Sequence, residues 1–400
     1  MNDSEKKQSY IKKFIKYIFD SKILTVPVIV LIFTGLVSAA VWRLSIASHS
    51  VADFFTNTVS FGIRFVLTHL TYYVPFSLAE FLLYASVPLV LYLIVNFIFK
   101  IIYTGHKNRI AVFFKGIFRL IAFLGAFMFI FVFTLGVCYG RTPIDKIMEK
   151  YISSQNQNIQ FERKLVSADD LAESLQMLIN EANKAADNIK YIHSDTGSTQ
   201  MPYSLSELNK KLNESYKNLL GKYNFLKRIQ AKVKPVIASV QMSQMHITGI
   251  YAFFTGEANV NIDFPDYNLP FTAAHEMSHL MGIAREDEAN FTAFLVCLYS
   301  GDNYIRYSGL VNMVEYVGNA LYAADKDKYN QLMGGLSYVI KNEMTAYSIF
   351  YNKYKDTKIS KVASAVNDTY LKAQGQEQGE KSYGLVVDLA VAYLLDVYGK

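Results

Sequence analysis

The chain has little charge and few cysteines for its length. Charged residues make up 18% of its 400 residues, against about 25% in average soluble chains, and the deficit is concentrated in the first third. Two cysteines, Cys138 and Cys297, exclude a disulfide framework, and we interpret both as buried thiols. The net charge of +6 is modest, and no long basic run interleaved with aromatics occurs outside the flanks of apolar segments. We therefore expect no nucleic-acid partner.

Long apolar stretches fill the first third instead. Three of them lack any charged residue for about the 20 residues that span a bilayer. The charge-free stretches are Ile23–Trp42, Phe81–Phe99 and Leu120–Gly140. They predict three transmembrane helices, over residues 23–46, 77–102 and 112–140. No small-residue cleavage pattern follows the first, which favours an anchor over a cleaved signal peptide; buried helices of a soluble core are the alternative.

Lysine and arginine in the short flanks predict the orientation, since basic residues favour the cytoplasmic side. They are dense before the first span and between the second and third, whereas only Arg43 and Arg64 lie between the first and second. We therefore expect a cytoplasmic basic N-terminus, a membrane anchor and an extracytoplasmic domain, over residues 1–22, 23–140 and 141–400. Residues 51–76 are aromatic and weakly charged, and an interfacial helix, a re-entrant role and a packing role are all open.

The region after the anchor has the composition of a soluble, mostly helical domain. Ser167 followed by Asp170 resembles a capping box and predicts a helix through about Ile189. A second polar helix is expected from about Ser206 to Tyr223, as a solvated helix.

A strand pattern interrupts these helices. Residues 247–254 and 258–264 are short and apolar or alternating, and the intervening Thr-Gly-Glu suits a turn, so the pair predicts two strands or a hairpin. A helical pattern begins again near Phe271, and residues 302–400 are mostly helical in pattern with a polar loop at 374–381.

The helix that begins near Phe271 carries the main chemical motif. Residues 274–279 read Ala-His-Glu-Met-Ser-His, so His275 and His279 lie four apart, on one face of a helix. This HExxH spacing lets both imidazoles reach one metal ion, and it predicts a zinc site. Glu276 lies beside the first histidine, where it can act as general base toward a zinc-bound water. The alternative is an ordinary helix face.

A zinc site of this kind needs a third protein ligand. Gly282 can end the first helix, and a new helix starts near Arg285 with three acidic residues. We expect Glu286 as the ligand, with Glu288 as the alternative; stabilisation of the helix N-terminus would also explain the acidic residues. Asn290 lies one turn after Glu286, where it can orient a ligand histidine.

Other residues are expected to contact the substrate. A strand that precedes the HExxH helix can bind an extended peptide as an added strand, and Gly249 and Tyr251 lie in the candidate strand. The oxyanion of the reaction needs a hydrogen-bond donor, and Tyr383 or His246 could serve. Structural roles are the alternative for each of these residues.

These motifs resemble those of known families. Residues 286–293, Glu-x-x-Ala-Asn-x-x-Ala, are similar to the ExxADxxA signature of membrane-bound zinc endopeptidases of the HtpX and CAAX-prenyl type, with Asn in place of Asp. They also resemble the ExEAN element of regulatory peptidases resembling IrrE. The gap from His279 to Glu286 is far shorter than in the HtpX type. HExxHxxG also begins the metzincin pattern, but its third ligand would fall on Arg285, which rules that reading out.

A wider resemblance covers nearly the whole chain. The chain resembles an uncharacterised bacterial family, domain of unknown function 3810. The features that carry this resemblance are the three spans, residues 249–251, residues 255–259, the HExxH motif with residues 285–291, and the Ser-Tyr-Gly stretch of residues 382–388. The resemblance implies a gluzincin-type, zincin-like fold but no substrate.

These observations predict three N-terminal transmembrane helices followed by a mostly α, α+β zincin-like metallopeptidase domain. The expected function is a zinc metalloendopeptidase in a bacterial cell membrane, with a peptide or protein substrate, membrane lipid as its other partner, and Zn²⁺ as cofactor. A non-catalytic metal-binding sensor or scaffold at the cell envelope is the alternative. A transport role finds little support, since the three spans hold no buried ionisable residue.

Overall fold

The computed structural model is mostly helical, with one small sheet. It describes residues 21–155, 161–163, 165–189, 197–355, 357–379 and 384–399. The α-helices are α1 (Val26–Ala47), α2 (His49–Phe55), α3 (Phe61–Tyr72), α4 (Leu78–Tyr103), α5 (His106–Thr134), α6 (Ile144–Gln155), α7 (Ala168–Asp187), α8 (Leu205–Lys222), α9 (Ser239–Gln244), α10 (Leu269–Leu280), α11 (Glu286–Leu298), α12 (Asn303–Ala324), α13 (Lys326–Met333), α14 (Tyr338–Tyr354), α15 (Lys358–Ala373) and α16 (Val386–Tyr393). The strands are β1 (Val233–Pro235), β2 (Gly249–Ala252) and β3 (Glu257–Val260).

The chain divides into two compact units. The first comprises Met1–Leu44 and Ala79–Phe133, and the second comprises Ser45–Leu78 and Thr134–Lys400. Sequence analysis grouped residues 23–140 into one anchor, so the structural division differs in placing residues 45–78 with the large C-terminal part of the chain. The pattern of apolar residues did not reveal this, because the partners of residues 45–78 lie far away in sequence.

The first unit holds three helices that are long and apolar enough to cross a membrane. They cover Val26–Ala47, Leu78–Tyr103 and Asn108–Thr134, and most of their apolar side chains face outward. Helices α1 and α5 approach closely at two glycines, since a Cβ on Gly35 would lie 2.5 Å from the Cα of Gly125. Small residues at such a crossing let helix backbones pack tightly in a membrane.

The third apolar helix is shorter than expected from sequence. It ends at Thr134, and Gly136–Gly140 form a separate 3₁₀ helix, whereas sequence analysis extended the span to residue 140. A Cβ on Gly140 would lie 1.9 Å from the main-chain oxygen of Ser45. The chain must turn here against another backbone segment, which an apolar run alone does not reveal.

The expected hairpin is present in the second unit. Strands β2 and β3 pair antiparallel, with Ile250 opposite Asn259, and Gly256 in the turn has a φ of +67° that suits glycine. The sequence did not indicate β1, which pairs parallel to β3 and gives the order β1-β3-β2. Strand β2 is therefore an edge of this sheet.

Helices α10 and α11 lie at the centre of the second unit. Every residue of α11 is buried, and His275 is the one residue of α10 that is only half-buried. Around them pack α8, α12, α16 and the sheet. The predicted capping box is present on α7, where the Ser167 hydroxyl accepts from the Asp170 N–H and the Asp170 carboxylate accepts from the Ser167 N–H. Both cysteines are buried free thiols, as expected.

Candidate metal centre

The HExxH motif lies on α10, which has a defined start and end. Pro270 lies in its first turn, where a missing N–H costs nothing. After its last turn, Gly282 adopts a φ of +98°, which reverses the chain toward α11. The hydroxyl of Tyr216 on α8 donates to the main-chain oxygen of Ala274, next to the first motif histidine. Sequence analysis described α8 as a solvated helix, but this face of it is buried against α10.

Three donor atoms of the predicted ligands converge at this helix. The Nε2 atoms of His275 and His279 lie 3.0 Å apart. Oε2 of Glu286 lies 3.2 Å from Nε2 of His275 and 3.4 Å from Nε2 of His279. In the part of the chain that the structure describes, these residues form the one group of three or more that could hold a metal ion. The structure therefore brings together all three preferred candidates.

The short connection from α10 to α11 positions Glu286. Arg285 is extended and precedes α11, so that Glu286 is the first residue of the helix and turns toward the two histidines. Its Oε2 is buried and makes no hydrogen bond within the described residues. Buried carboxylate oxygens are normally satisfied, so an oxygen that faces two imidazole nitrogens alone is suited to a cation.

The second nitrogens of the two histidines have different surroundings. Nδ1 of His279 lies 2.7 Å from the main-chain oxygen of Ile283, to which it can donate, and this contact directs Nε2 into the site. Nδ1 of His275 has no hydrogen-bond partner among the described residues. Asn290 is buried one turn after Glu286, with an amide nitrogen that likewise lacks a partner there. The structure therefore shows Ile283, rather than Asn290, orienting a histidine.

Glu288 lies away from the metal cluster and makes structural contacts. Its Oε1 accepts from the Arg285 guanidinium at 2.6 Å and from the main-chain N–H of Ile144 at 2.9 Å. The side chain is almost fully buried, and its contact with Ile144 holds the start of α6 against α11. Of the two expected carboxylates, only Glu286 faces the histidines.

Glu276 lies against the edge strand. The main-chain N–H of Tyr251 donates to its carboxylate, and a Cβ on Gly249 would lie 2.5 Å from its Oε1. The main-chain N–H of Asn261 donates to the oxygen of Thr248, and hydrogen-bonded pairs alternate along an antiparallel ladder. Thr248, Ile250 and Ala252 of the hairpin are therefore the residues whose main-chain groups bond to β3. The main-chain groups of Gly249 and Tyr251 therefore point to the free edge of β2, and Tyr251 already uses its N–H to hold Glu276.

The acidic and basic groups of this cluster shift one another's pKa values. Burial raises the pKa of Glu276 to about 7, while the nearby imidazoles oppose this rise. Burial lowers the pKa of His279, but the carboxylate of Glu286 outweighs it and the net value rises to about 9. Burial raises the pKa of Glu286, yet the two imidazoles outweigh it and hold that pKa well below its usual range. The cluster thus gathers opposite charges at the position where a cation would lie.

Arg64 is a residue of this region that sequence analysis treated only as a flanking charge. Its side chain is 1% exposed, and its guanidinium donates to the main-chain oxygen of Leu280, the last residue of α10. It also lies against Gly282, where a Cβ would come within 2.6 Å of it. The sequence did offer a signal for this role, because Arg64 is the single arginine within the apolar segment 51–76. An isolated charge that is buried needs polar partners.

The structure assigns neither of the two proposed oxyanion donors. Tyr383 falls outside the described residues. The ring of His246 stacks on Tyr351 of α14, with 4.3 Å between the ring centroids. The geometry therefore leaves the oxyanion donor unassigned.

Comparison with known proteins identifies a family. Residues 55–391 match a family model described as "Protein of unknown function (DUF3810)". No curated protein and no solved structure is significantly similar to the chain. The matched range includes most of the residues between the first two apolar helices, the edge strand, the HExxH helix and Glu286.

Proposed function

The chain belongs to the DUF3810 family of proteins of unknown function, and we propose that it is a membrane-anchored zinc metallopeptidase with a zincin-like catalytic domain. The observation that carries the proposal is the convergence of His275, His279 and Glu286. Two imidazoles and one carboxylate are a common protein donor set of catalytic zinc sites, which keep a fourth position open.

The spacing of the three donor atoms suits zinc. Ligand atoms at about 2.0–2.2 Å from a tetrahedral ion are separated from one another by about 3.3–3.6 Å. The observed separations of 3.0, 3.2 and 3.4 Å lie close to one face of such a tetrahedron. The orphaned Oε2 of Glu286 then acquires the partner that it lacks among the described residues.

Glu276 is the proposed general base. A bound zinc ion would supply Lewis acidity and lower the pKa of a water at its open position to about 7. Glu276 would accept a proton from that water and deliver it to the leaving amine. The Tyr251 N–H holds the carboxylate in place, and the absence of a side chain on Gly249 makes room for it.

The free edge of β2 is the proposed substrate strand. The main-chain groups of Gly249 and the main-chain oxygen of Tyr251 point to this edge, where an extended peptide can add as a further strand. Glu276 touches the same edge, so a peptide that binds there passes close to the general base. This geometry favours peptide hydrolysis over other zinc-dependent reactions.

The sensor or scaffold alternative predicts a closed metal site. A structural zinc ion takes four protein ligands, whereas the cluster has three members within the described ranges. A buried glutamate beside the cluster is also unneeded in a purely structural site. Both observations favour catalysis.

We further propose that the catalytic domain is extracytoplasmic and the N-terminus cytoplasmic. Residues 45–78 and 134–400 belong to one compact unit, so both must lie on the same side of the membrane. Three crossings, by α1, α4 and α5, satisfy that requirement. The distribution of basic residues then favours an external position for this unit.

The proposal is tested by replacing the general base. Glu276→Gln in the full chain is expected to retain one zinc per chain and a wild-type unfolding temperature, because Gln keeps the volume of Glu. Peptide hydrolysis should fall by a factor of about 10² to 10⁴, the usual contribution of general acid–base catalysis. Zinc content by mass spectrometry and cleavage of a quenched fluorescent peptide library are the measurements.

Ser243→Ala is a suitable control, since its hydroxyl contacts Ser239 and Asn261 rather than the metal cluster. Comparison of the external proteome between wild-type and Glu276→Gln cells would then identify substrates. Equal cleavage by wild type and Glu276→Gln, with zinc present in both, would refute the proposed mechanism.

A further inference from the structure

Residues 49–73, which we call the inter-span segment, have an unusual distribution of polarity. The segment is a continuous helical rod formed by α2, a π-helical turn at Thr56–Ser60, and α3. Its polar stripe is buried, and the members of this stripe are Thr56, Ser60, Arg64, Thr68 and Thr71. They recur every three or four residues, so they occupy one side of the rod.

The polar stripe is bonded to the elements that form the metal centre. Arg64 donates to the main-chain oxygen of Leu280 at the end of α10. The hydroxyl of Thr68 donates to the oxygen of Gly256 in the hairpin turn, and Lys234 of β1 donates to the oxygen of Thr71. The polar side of the segment is thus fully committed to contacts within its own unit.

The opposite side of the segment is apolar and exposed. Leu70 is 68% exposed and Tyr73 is 82% exposed, and the same face carries Phe54, Phe65 and Val66. A surface helix of a soluble protein has the reverse arrangement, with its apolar stripe inward. The only charged residue between positions 54 and 73 is Arg64, which is buried, so the exposed face has no charged residue.

Three polar side chains on the exposed face lie within hydrogen-bond distance of main-chain oxygens of the rod itself. Asn57 and Thr58 each donate to a main-chain oxygen four residues earlier, and Nδ1 of His69 lies within hydrogen-bond distance of the oxygen of Phe65. Side chains that return to their own helix in this way have fewer hydrogen-bonding groups that need water. An environment without water is therefore tolerated along this face.

Two neighbouring features indicate the nature of that environment. The segment is joined at both ends to helices long enough to cross a membrane, α1 and α4. At its side, the ammonium of Lys227 lies over the ring of Phe61, and that of Lys232 lies 3.9 Å from the ring centroid of Tyr72. Both rings are half-buried, and lysines beside aromatic rings are typical of the boundary between acyl chains and anionic headgroups.

We propose that the inter-span segment lies in the membrane interface, with its apolar face among the lipid acyl chains and its polar stripe forming a wall of the metal domain. The lipid is then a direct structural neighbour of the elements that position the metal centre. This assignment resolves the alternatives for residues 51–76 and does not depend on hydrolysis.

The helices that adjoin the segment in sequence favour lipid over a second copy of the chain or a protein partner. Both ends of the segment continue into membrane-length helices after few residues, so the segment cannot move far from the bilayer surface. A protein partner would have to displace lipid from a face that carries no charge.

The test uses fluorescence quenching by lipid in full-length protein. The single tryptophan, Trp42, is replaced by Phe, and tryptophan is introduced singly at Phe65 or Leu70. Lys217→Trp on α8 is the matched control, since that side chain is 65% exposed on a polar helix. Each variant is placed in nanodiscs of phosphatidylglycerol and phosphatidylcholine, with or without bromine on the acyl chains.

Tryptophan at Phe65 and at Leu70 should lose about half of its emission in brominated lipid, because an interfacial helix inserts about 5–10 Å into the headgroup–acyl boundary. Lys217→Trp should be unaffected. Emission from both test positions that matches this control would overturn the proposal. If the emission does not respond to bromine but changes with the number of chains per disc, the face contacts a second copy of the chain. That result would also overturn the proposal.

Discussion

At the scale of single residues, Glu286 and Glu288 show how one helical turn separates two functions. Both are buried carboxylates in the first turn of α11. Glu286 faces two imidazole nitrogens and has an unpaired oxygen, whereas Glu288 accepts hydrogen bonds from Arg285 and Ile144. The sequence offers both as ligands, and only their different directions around the helix axis separate them.

Replacing each glutamate by glutamine should therefore affect different properties, zinc binding for Glu286 and stability for Glu288. Glu286→Gln is expected to weaken zinc binding by more than about 100-fold, because loss of even an outer partner of a ligand costs about 10- to 100-fold. Glu288→Gln should retain zinc but lower the free energy of unfolding by about 3 kcal/mol, since it leaves the charge of Arg285 unpaired. Competition with a zinc chelator and thermal unfolding measure the two effects. A Glu288→Gln variant that loses zinc while Glu286→Gln keeps it would reverse the assignment.

Gly249 is a second residue whose role follows from a close approach. A Cβ at this position would lie 2.5 Å from Oε1 and 2.6 Å from Cγ of Glu276. Gly249→Ala should displace the carboxylate and lower the catalytic rate by about 100-fold, since a shift of about 1 Å in a catalytic group can cost that much. Zinc content should be unchanged, because no ligand atom is touched.

Gly221→Ala is the control for this substitution. Gly221 lies in α8 with nothing within 4 Å of an added Cβ, so the variant should keep full activity and gain up to about 1 kcal/mol of helix stability. Steady-state kinetics on both variants, with zinc content measured on the same preparations, separate displacement of Glu276 from loss of metal. Wild-type kinetics for Gly249→Ala would contradict the role assigned to Glu276.

At the scale of elements, α10 depends on a helix from a distant part of the chain. Arg64 of α3 donates to the main-chain oxygens of Leu280 and Thr56 and to the hydroxyl of Ser60. Its positive charge lies at the C-terminal end of α10, where helix carbonyls favour a cation. The end of the metal-binding helix is thus held by the inter-span segment.

Arg64→Met should leave these buried oxygens without their donor. Each unsatisfied buried group costs about 1–3 kcal/mol, so we expect the free energy of unfolding to fall by about 2 kcal/mol or more and zinc affinity to weaken with it. The measurement is thermal unfolding with and without zinc. Gly62→Ala on the same helix meets nothing within 4 Å and should leave both quantities at or above the wild-type value. If Arg64→Met and Gly62→Ala had the same free energy of unfolding and the same zinc affinity, the hydrogen bond from Arg64 to the end of α10 would be unimportant for both.

At the scale of the whole molecule, the boundary of the metal domain does not coincide with the end of the apolar region. The second unit includes Ser45–Leu78, which lies between two membrane-length helices in sequence. A domain that begins at Arg141 therefore lacks the donors to Leu280 and Gly256. It also lacks Asp53, whose carboxylate accepts hydrogen bonds from the main chain and hydroxyl of Thr142.

A fragment of residues 141–400 is accordingly expected to aggregate and to bind no stoichiometric zinc. The full chain in nanodiscs should bind one zinc per chain and should unfold at a lower temperature after chelation, since a ligand at about 1,000 times its Kd stabilises by about 4 kcal/mol. Size-exclusion chromatography and zinc analysis give the comparison. Supplying residues 45–78 in trans should restore part of the zinc binding. A soluble, zinc-loaded fragment 141–400 would show that the inter-span segment is dispensable.

Local features of the chain were predictable from sequence because they depend on neighbours a few residues apart. The three apolar helices, the capping box at Ser167, the hairpin and the helical HExxH motif all arise from short-range periodicity and turn chemistry. The two histidines of the motif share a helix face at any position in a fold, so their convergence also follows from spacing alone.

The tertiary structure decided everything that depends on contacts between distant segments. It determined that Glu286 rather than Glu288 faces the histidines, that β1 joins the hairpin, and that Arg64 caps α10 from 216 positions away. It also determined that the inter-span segment turns its polar side inward. The physical reason is that the direction of a side chain follows from its own helix. The partner that it meets depends on how distant elements pack, and the local sequence of neither element reveals that packing.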